Sequence, residues 1–154
     1  MNYSASKNEF TITTDKRKIN IEYLHGFLSH VYWSAGIPMA VVKKAVKGSL
    51  CFGIYHDQIQ ASPAGRQVGF ARMITDGATF AYLADVFIDE SYRGRGLSKW
   101  LMEVIMAHPD LQGLRRMLLS TRDAHSLYKK YGFTELTYVD RWMQIHNPDV
   151  YKNK

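Results

Sequence analysis

Apolar positions recur along this chain at two different periods. From Asn20 onward Ile21, Leu24, Leu28 and Val31 repeat at helical spacing, which predicts an amphipathic helix ending near Trp33. "AGIP" breaks that pattern, Pro38 can open a second helix over roughly Met39 to Val46, and Gly48 stops it. A third stripe, Leu97, Trp100, Leu101, Val104 and Ile105, predicts a helix from Leu97 to Ala107, ended by Pro109. Between the helical stretches lie runs rich in β-branched and aromatic residues: "EFTITT", then "SLCFGIY", "RQVGFARMI" and "TFAYLADVFI". The turns "SPAG" and "TDG" separate the last three, which are therefore expected to form an antiparallel meander. "LRRMLLST" reads as a further strand and "DAHSLYKKYG" as a short helix with Asp123 as its N-cap. "FTEL" and "RWMQIH" read as two last strands.

The predicted order is β-α-α-β-β-β-α-β-α-β-β. Only the piece strand–"YRGRG"–helix–strand needs a crossover, and a helical crossover joins parallel neighbours. The expected fold class is α/β: a mixed, mostly antiparallel sheet with one parallel pair and helices on both faces. No repeat, low-complexity tract or linker divides the chain, so 154 residues are expected to make one domain, 1–154.

Composition adds limited constraints. A hydrophobic content of 46% is enough for a sizeable core. Lys plus Arg exceed Asp plus Glu by 20 to 14, a net charge of +6 that favours anionic partners without choosing among them. The basic residues are dispersed over "DKRK", "VVKKAVK", "LRR" and "YKK", and no nucleic-acid-reading motif accompanies them, so a nucleic-acid partner is not expected. A single cysteine, Cys51, excludes an internal disulfide, fits a reducing compartment and reads as a small buried apolar residue. The six histidines form no ligand cluster, so no metal is expected. No secretory signal and no membrane-length apolar run is visible, which makes a cytoplasmic location the expectation.

The most informative stretch is "DESYRGRGLSKWLMEV". The helix it opens sits at the carboxyl end of the strand "YLADVFI", where the first amides lack partners and the peptide dipoles leave about half a positive charge. Gly94 and Gly96 remove Cβ atoms that would hold an anion off, and Arg93 and Arg95 add charge, a geometry suited to a pyrophosphate. A solvated basic turn explains the same glycines equally well. The dinucleotide fingerprint is not met, because "GRGLSK" ends in Lys99, and a Walker-type ending is absent.

"DVFIDESYRGRGLSKWLM" resembles the acetyl-CoA signature of the GCN5-related N-acetyltransferases, R/Q-x-x-G-x-G/A after a strand. Arg93, Gly96 and Ser98 fill its three informative positions, with Ser98 standing where Gly or Ala is usual. "HSLYKKYGF" resembles the family's later helix, with Tyr128 four residues before Gly132 and Phe133 closing the motif. Thr121 stands where the family often carries an asparagine. The resemblance implies a strand that splays from its neighbour to admit pantetheine, with Val86, Phe87 and Ile88 offering backbone groups. It implies that Arg93, Gly94, Arg95, Gly96, Leu97 and Ser98 hold the pyrophosphate, with a further contact from Thr121. It also implies acetyl-CoA as co-substrate, and a homodimer as an expectation.

Acetyl transfer to an amine needs a neutral amine, a held carbonyl, an oxyanion donor and relief for the leaving thiolate. A backbone amide around Phe87 or Ile88 is the expected oxyanion donor, and Tyr128 the expected thiolate partner, against a packing role on Ala124. Asp85 is the candidate base, although strand alternation turns it away from the partner face of Phe87. Glu22 and His25 on the first helix are alternatives, each with a competing solvated or structural reading. Tyr32 and Trp33 are expected to shape the acceptor pocket or to anchor their loop. The expected activity is acetyl transfer to a small-molecule amine or an exposed protein amine, by direct attack. A non-catalytic acyl-CoA-binding module is the alternative.

Overall fold

The computed structural model describes residues 1–59 and 65–152. Its strands run β1 (Ser4–Lys7), β2 (Phe10–Thr13), β3 (Leu50–His56), β4 (Arg66–Thr75), β5 (Phe80–Ile88) and β6 (Arg116–Leu119). Its helices are α1 (Ile21–Leu28), α2 (Met39–Lys47), α3 (Leu97–Ala107) and α4 (His125–Lys129). Among the described residues the strands form one sheet in the order β1-β2-β3-β4-β5-β6, with every neighbour antiparallel except β5 and β6. The mixed sheet, the meander β3–β4–β5 and the single parallel pair are as the sequence predicts. Within the "SPAG" turn, residues 62–64 lie outside the described residues.

Side-chain alternation divides the core between the two faces. On one face α3 lays Leu97, Leu101, Val104 and Ile105 against Phe52, Ile54, Met73 and Leu83 of the sheet. On the other, Leu24 and Leu28 of α1 and Val42 and Val46 of α2 meet Cys51, Phe70 and Phe87. Phe27 stacks on Phe87 with ring centroids 3.6 Å apart.

Five elements depart from the sequence expectation. β1 is an additional strand, paired to β2 through a turn at Asn8, whose φ is 54°. Its sequence "SASK" is mostly exposed and polar and carries no strand pattern. The first helix stops at Leu28 rather than near Trp33. The Ser34 hydroxyl donates to the Leu28 carbonyl at 2.6 Å, and Gly36 (φ 80°) donates to the Ser29 carbonyl, so helix-end carbonyls are satisfied by a returning loop. Asp123 does not cap α4; Ala124 occupies the cap, and the Thr121 hydroxyl accepts the Ala124 amide at 3.0 Å. Finally, "FTEL" and "RWMQIH" form no strand. Left-handed Tyr138 (φ 54°) and a 3-10 turn over Val139–Arg141 interrupt the extended backbone between the two segments, and among the described residues neither pairs with β6.

Candidate active site

Two irregularities open the sheet at one place. The register between β4 and β5 shifts after Phe70↔Phe87, so that Arg72 faces Ala84 and β5 holds one extra residue. Asp85 sits in that bulge with φ 55°, a left-handed conformation that Asp tolerates better than most residues. The extra residue inverts the side-chain alternation: Ala81 and Leu83 face the α3 side, whereas beyond the bulge Phe87 faces the α1 side and Ile88 the α3 side. Pairing of β5 with β6 ends at Leu83↔Leu119, yet β5 continues to Ile88. The two parallel strands therefore splay.

The splay is the floor of a cleft of about 1000 Å³, lined by Leu83, Asp85 and Val86 of β5, by Leu119 at the end of β6 and Thr121 beyond it, and by Tyr128 of α4. Asp89 donates its amide to the Val68 carbonyl across β4 at 2.7 Å. Strand alternation then turns the amide and carbonyl of Ile88 to the open side, where Arg93 Nε already donates to that carbonyl at 3.3 Å.

The glycine loop follows directly. Asp89 Oδ1 accepts the amide and hydroxyl of Ser91, shaping a short turn over Glu90–Tyr92. Gly94 (φ 79°) and Gly96 (φ 76°) are both left-handed, and a Cβ built on either would meet nothing within 4 Å, so both open onto free space. Leu97 is buried and fixes the start of α3 on the core, while Arg93, Gly94, Arg95 and Gly96 are exposed. The Arg93 amide is engaged with the Glu90 carbonyl at 3.3 Å, and the first helical closure is Trp100 N–H to Gly96 at 3.1 Å. Among the described residues the amides from Gly94 to Lys99, that of Ser98 included, have no backbone partner outside the helix and precede its first closure. The Arg95 guanidinium lies 4.7 Å over the ring of Tyr92, whose hydroxyl bonds His56 Nδ1 at 2.9 Å. The loop can therefore present several N–H groups and two guanidinium groups to an anion with no side chain in the way.

On the opposite wall Tyr128 is buried, edge-on to Phe133, and burial raises its hydroxyl above the usual tyrosine range. Among the described residues that hydroxyl has no hydrogen-bond partner. Neutral at physiological pH, it can donate a proton into the cleft.

Both carboxylate oxygens of Asp85 are engaged. One carboxylate oxygen accepts Trp33 Nε1 at 2.9 Å and the other accepts Arg72 Nε at 2.8 Å, while Arg72 Nη1 also reaches the Ser49 hydroxyl. This network ties the loop after α1 to the middle of the sheet. Tyr32 and Trp33 both line the cleft, and Tyr32 lies under the Arg122 guanidinium at 3.6 Å. The structure does not bring Glu22 and His25 into the cleft. Glu22 is exposed on α1, and His25 Nε2 bonds the Ile37 carbonyl at 2.9 Å, closing the loop between α1 and α2. Cys51 is 1% exposed, and burial pushes its thiol up to about 11, so it supplies no thiolate at neutral pH. Among the described residues no group of three or more His, Cys, Asp or Glu could hold a metal ion, and no helix is long and apolar enough to cross a membrane.

Two contributors escape the sequence reading. Arg72 is one; a lone charge inside the apolar run "VGFARMI" was the available signal that something buried pairs with it. The other is the segment His146–Lys152, which closes the cleft from the C-terminal side and carries no sequence signal for that position.

Comparison with known proteins gives a consistent result. Residues 47–135 match the family model of the acetyltransferase (GNAT) domain. A candidate acetyltransferase of Gibberella zeae is 31% identical over 141 residues, covering 81% of this chain and 78% of that one. The crystal structure of a candidate acetyltransferase of the GNAT family from Xanthomonas campestris pv. campestris is 47% identical, with a TM-score of 0.88 over 96% of this chain and 99% of that one. A Clostridium acetobutylicum structure with acetyl-CoA shares the fold at 14% identity, with a TM-score of 0.60 over 95% of this chain and 96% of that one.

Proposed function

The chain belongs to the GNAT acetyltransferase family, and on that premise we propose that it moves the acetyl group of acetyl-CoA to a primary amine. The observation that carries this reading is the continuity of the splayed β5–β6 gap with the bare amide cradle at the start of α3. A gap suits a pantetheine arm, and the cradle suits a pyrophosphate. The acetyl-CoA present in the related Clostridium acetobutylicum structure is in keeping with that assignment.

In this reading the amides of Gly94 to Ser98 hold the two phosphates, assisted by the side chains of Arg93 and Arg95. Val86 and Ile88 face the pantetheine with their backbones, and Thr121 borders the gap from the β6 side. The bound co-substrate supplies an activated thioester carbonyl. The Ile88 amide is the oxyanion donor, since Phe87 is turned toward β4. Tyr128 donates a hydrogen bond to the departing sulfur. A protonated alkyl amine, pKa about 10.4, must lose its proton before attack. Because both oxygens of Asp85 are engaged, we assign that proton to water at the open end of the cleft and give Asp85 the role of positioning Trp33. With Cys51 buried and protonated, attack by the amine is direct.

The test is calorimetric titration with acetyl-CoA, followed by thiol release across a panel of small amines and amine-bearing peptides. Saturable binding with amine-dependent thiol release is expected. Binding without turnover on every amine would leave an acyl-CoA-binding module, and absence of binding would refute the cradle assignment.

A further inference from the structure

The cleft has a wall that neither the phosphate cradle nor Tyr128 accounts for. Three segments build it: α2 gives half-buried Val41 and Ala45, the loop after α1 gives Trp33, and the C-terminal segment gives Val150 and Tyr151. Tyr151 packs with the α1–α2 core, and its carbonyl lies 3.2 Å from where a Cβ on Gly36 would stand. These contacts hold the C-terminal segment against the loop. Trp33 is 43% exposed and Val150 38%, so apolar surface remains uncovered at this wall.

Among the described residues the charges around that wall are paired with one another. Arg72 Nε and an Asp85 oxygen lie 2.8 Å apart, with side chains 16% and 10% exposed, and Trp33 Nε1 donates to the second oxygen of the carboxylate. At the rim Lys152 pairs with Asp149, three residues away. Asp123, the other carboxylate on the lining, is exposed on the β6 side of the splay. An apolar wall whose few polar neighbours are already satisfied suits an uncharged, apolar ligand body. An amino-acid carboxylate or the second ammonium of a polyamine would be desolvated there without a partner, which is costly.

We infer that this wall receives the acceptor, and that the acceptor is a primary amine on an uncharged alkyl or aryl body, lying along Val41, Ala45 and Trp33 with its nitrogen toward Val86 and Tyr128. The inference rests on the transferase reading above and names its substrate class. Apolar surroundings disfavour an ammonium ion, so the pocket itself promotes loss of the amine proton to water. That suits a site in which both oxygens of Asp85 are engaged. The neutral nitrogen then forms its C–N bond as the C–S bond breaks, and its second proton ends on the departing sulfur.

The experiment is steady-state thiol release by the full chain at saturating acetyl-CoA, over the n-alkyl amines from propylamine to hexylamine, beside phenethylamine, lysine and spermidine. The n-alkyl amines have nearly equal basicity, so across them only the length of the body changes. Each added methylene should raise kcat/KM about 4-fold. Phenethylamine should match the longer alkyl amines, and lysine and spermidine should fall at least about 100-fold below hexylamine. Ala45→Leu, which fills the wall, should lower the hexylamine-to-propylamine ratio of kcat/KM at least about 10-fold, with calorimetric affinity for acetyl-CoA unchanged. A flat chain-length series, or lysine and spermidine turned over as fast as hexylamine, would overturn the inference and leave the transferase reading standing. So would a ratio indifferent to Ala45→Leu in a variant with an unchanged far-ultraviolet spectrum; the wild-type series carries the test by itself where the variant does not fold. Acetyl-CoA binding without turnover of any amine would overturn both readings.

Discussion

Tyr128 and Asp85 show how burial and bonding, rather than residue type, set what a side chain can do. Tyr128 is buried, its hydroxyl is held above the usual range by desolvation, and its ring is fixed by Phe133. A hydrogen bond to a charged partner contributes about 1.5–3 kcal/mol, or roughly 10–100-fold in rate when it exists only as the thiolate develops. Tyr128→Phe should therefore lower kcat by about 10–100-fold, with calorimetric affinity for acetyl-CoA changing by less than about 3-fold. Unchanged turnover would remove Tyr128 from the chemistry. Asp85 combines a left-handed backbone with a carboxylate shared by Arg72 and Trp33. Asp85→Ala adds backbone strain and leaves Arg72 unpaired, an expected loss of about 3–5 kcal/mol in urea unfolding. Asp85→Asn keeps the shape and one acceptor, and should cost about half as much. Equal losses for the two variants would show that charge, not backbone conformation, dominates there.

At the scale of elements, the site depends on how strands and helices end. The bulge in β5 and the early end of β6 create the gap; the left-handed glycines before α3 create the cradle. Gly96 is both the N-cap of α3 and part of the cradle, and its φ is 76°. Gly96→Ala should cost about 1–2 kcal/mol of stability from the left-handed backbone. It should weaken acetyl-CoA binding by at least about 10-fold, because the added Cβ occupies the space open to the phosphates. Calorimetry and urea unfolding on the same variant separate the two effects; binding that weakens no more than stability predicts would argue against phosphate at that position.

Across the whole molecule, the two faces of the sheet carry different duties. The α3 face holds the larger core, and His108 is built into it, 4% exposed, edge-on to Phe52, with Nδ1 accepting the Asp110 amide at 3.1 Å. Burial lowers the pKa of His108. The unfolded chain therefore takes up a proton at about pH 6.5 that the folded chain refuses, so stability is full above that pH and falls as pH drops toward the folded value. Urea midpoints should decline from about pH 6.5 downward, and the decline should be shallower in His108→Gln. An identical slope in both proteins would assign the pH dependence to other groups. The α1–α2 face carries the network from Ser49 through Arg72 and Asp85 to Trp33, and so shapes that wall of the cleft.

Local periodicity and turn chemistry were sufficient for much of this. The stripe from Leu97 to Ile105 specifies α3, "TDG" specifies the β4–β5 turn, and the glycines between Arg93 and Ser98 mark the cradle, because each is a property of neighbouring residues. The early end of α1, the partners of Asp85 and the fate of "RWMQIH" were decided elsewhere. A returning hydroxyl from Ser34 and an arginine thirteen positions from Asp85 set the first two through side-chain contacts that periodicity does not encode, and the third depended on whether a sheet edge took up the segment. A strand needs an adjacent edge as well as a suitable pattern, and only the tertiary structure determines where an edge is within reach.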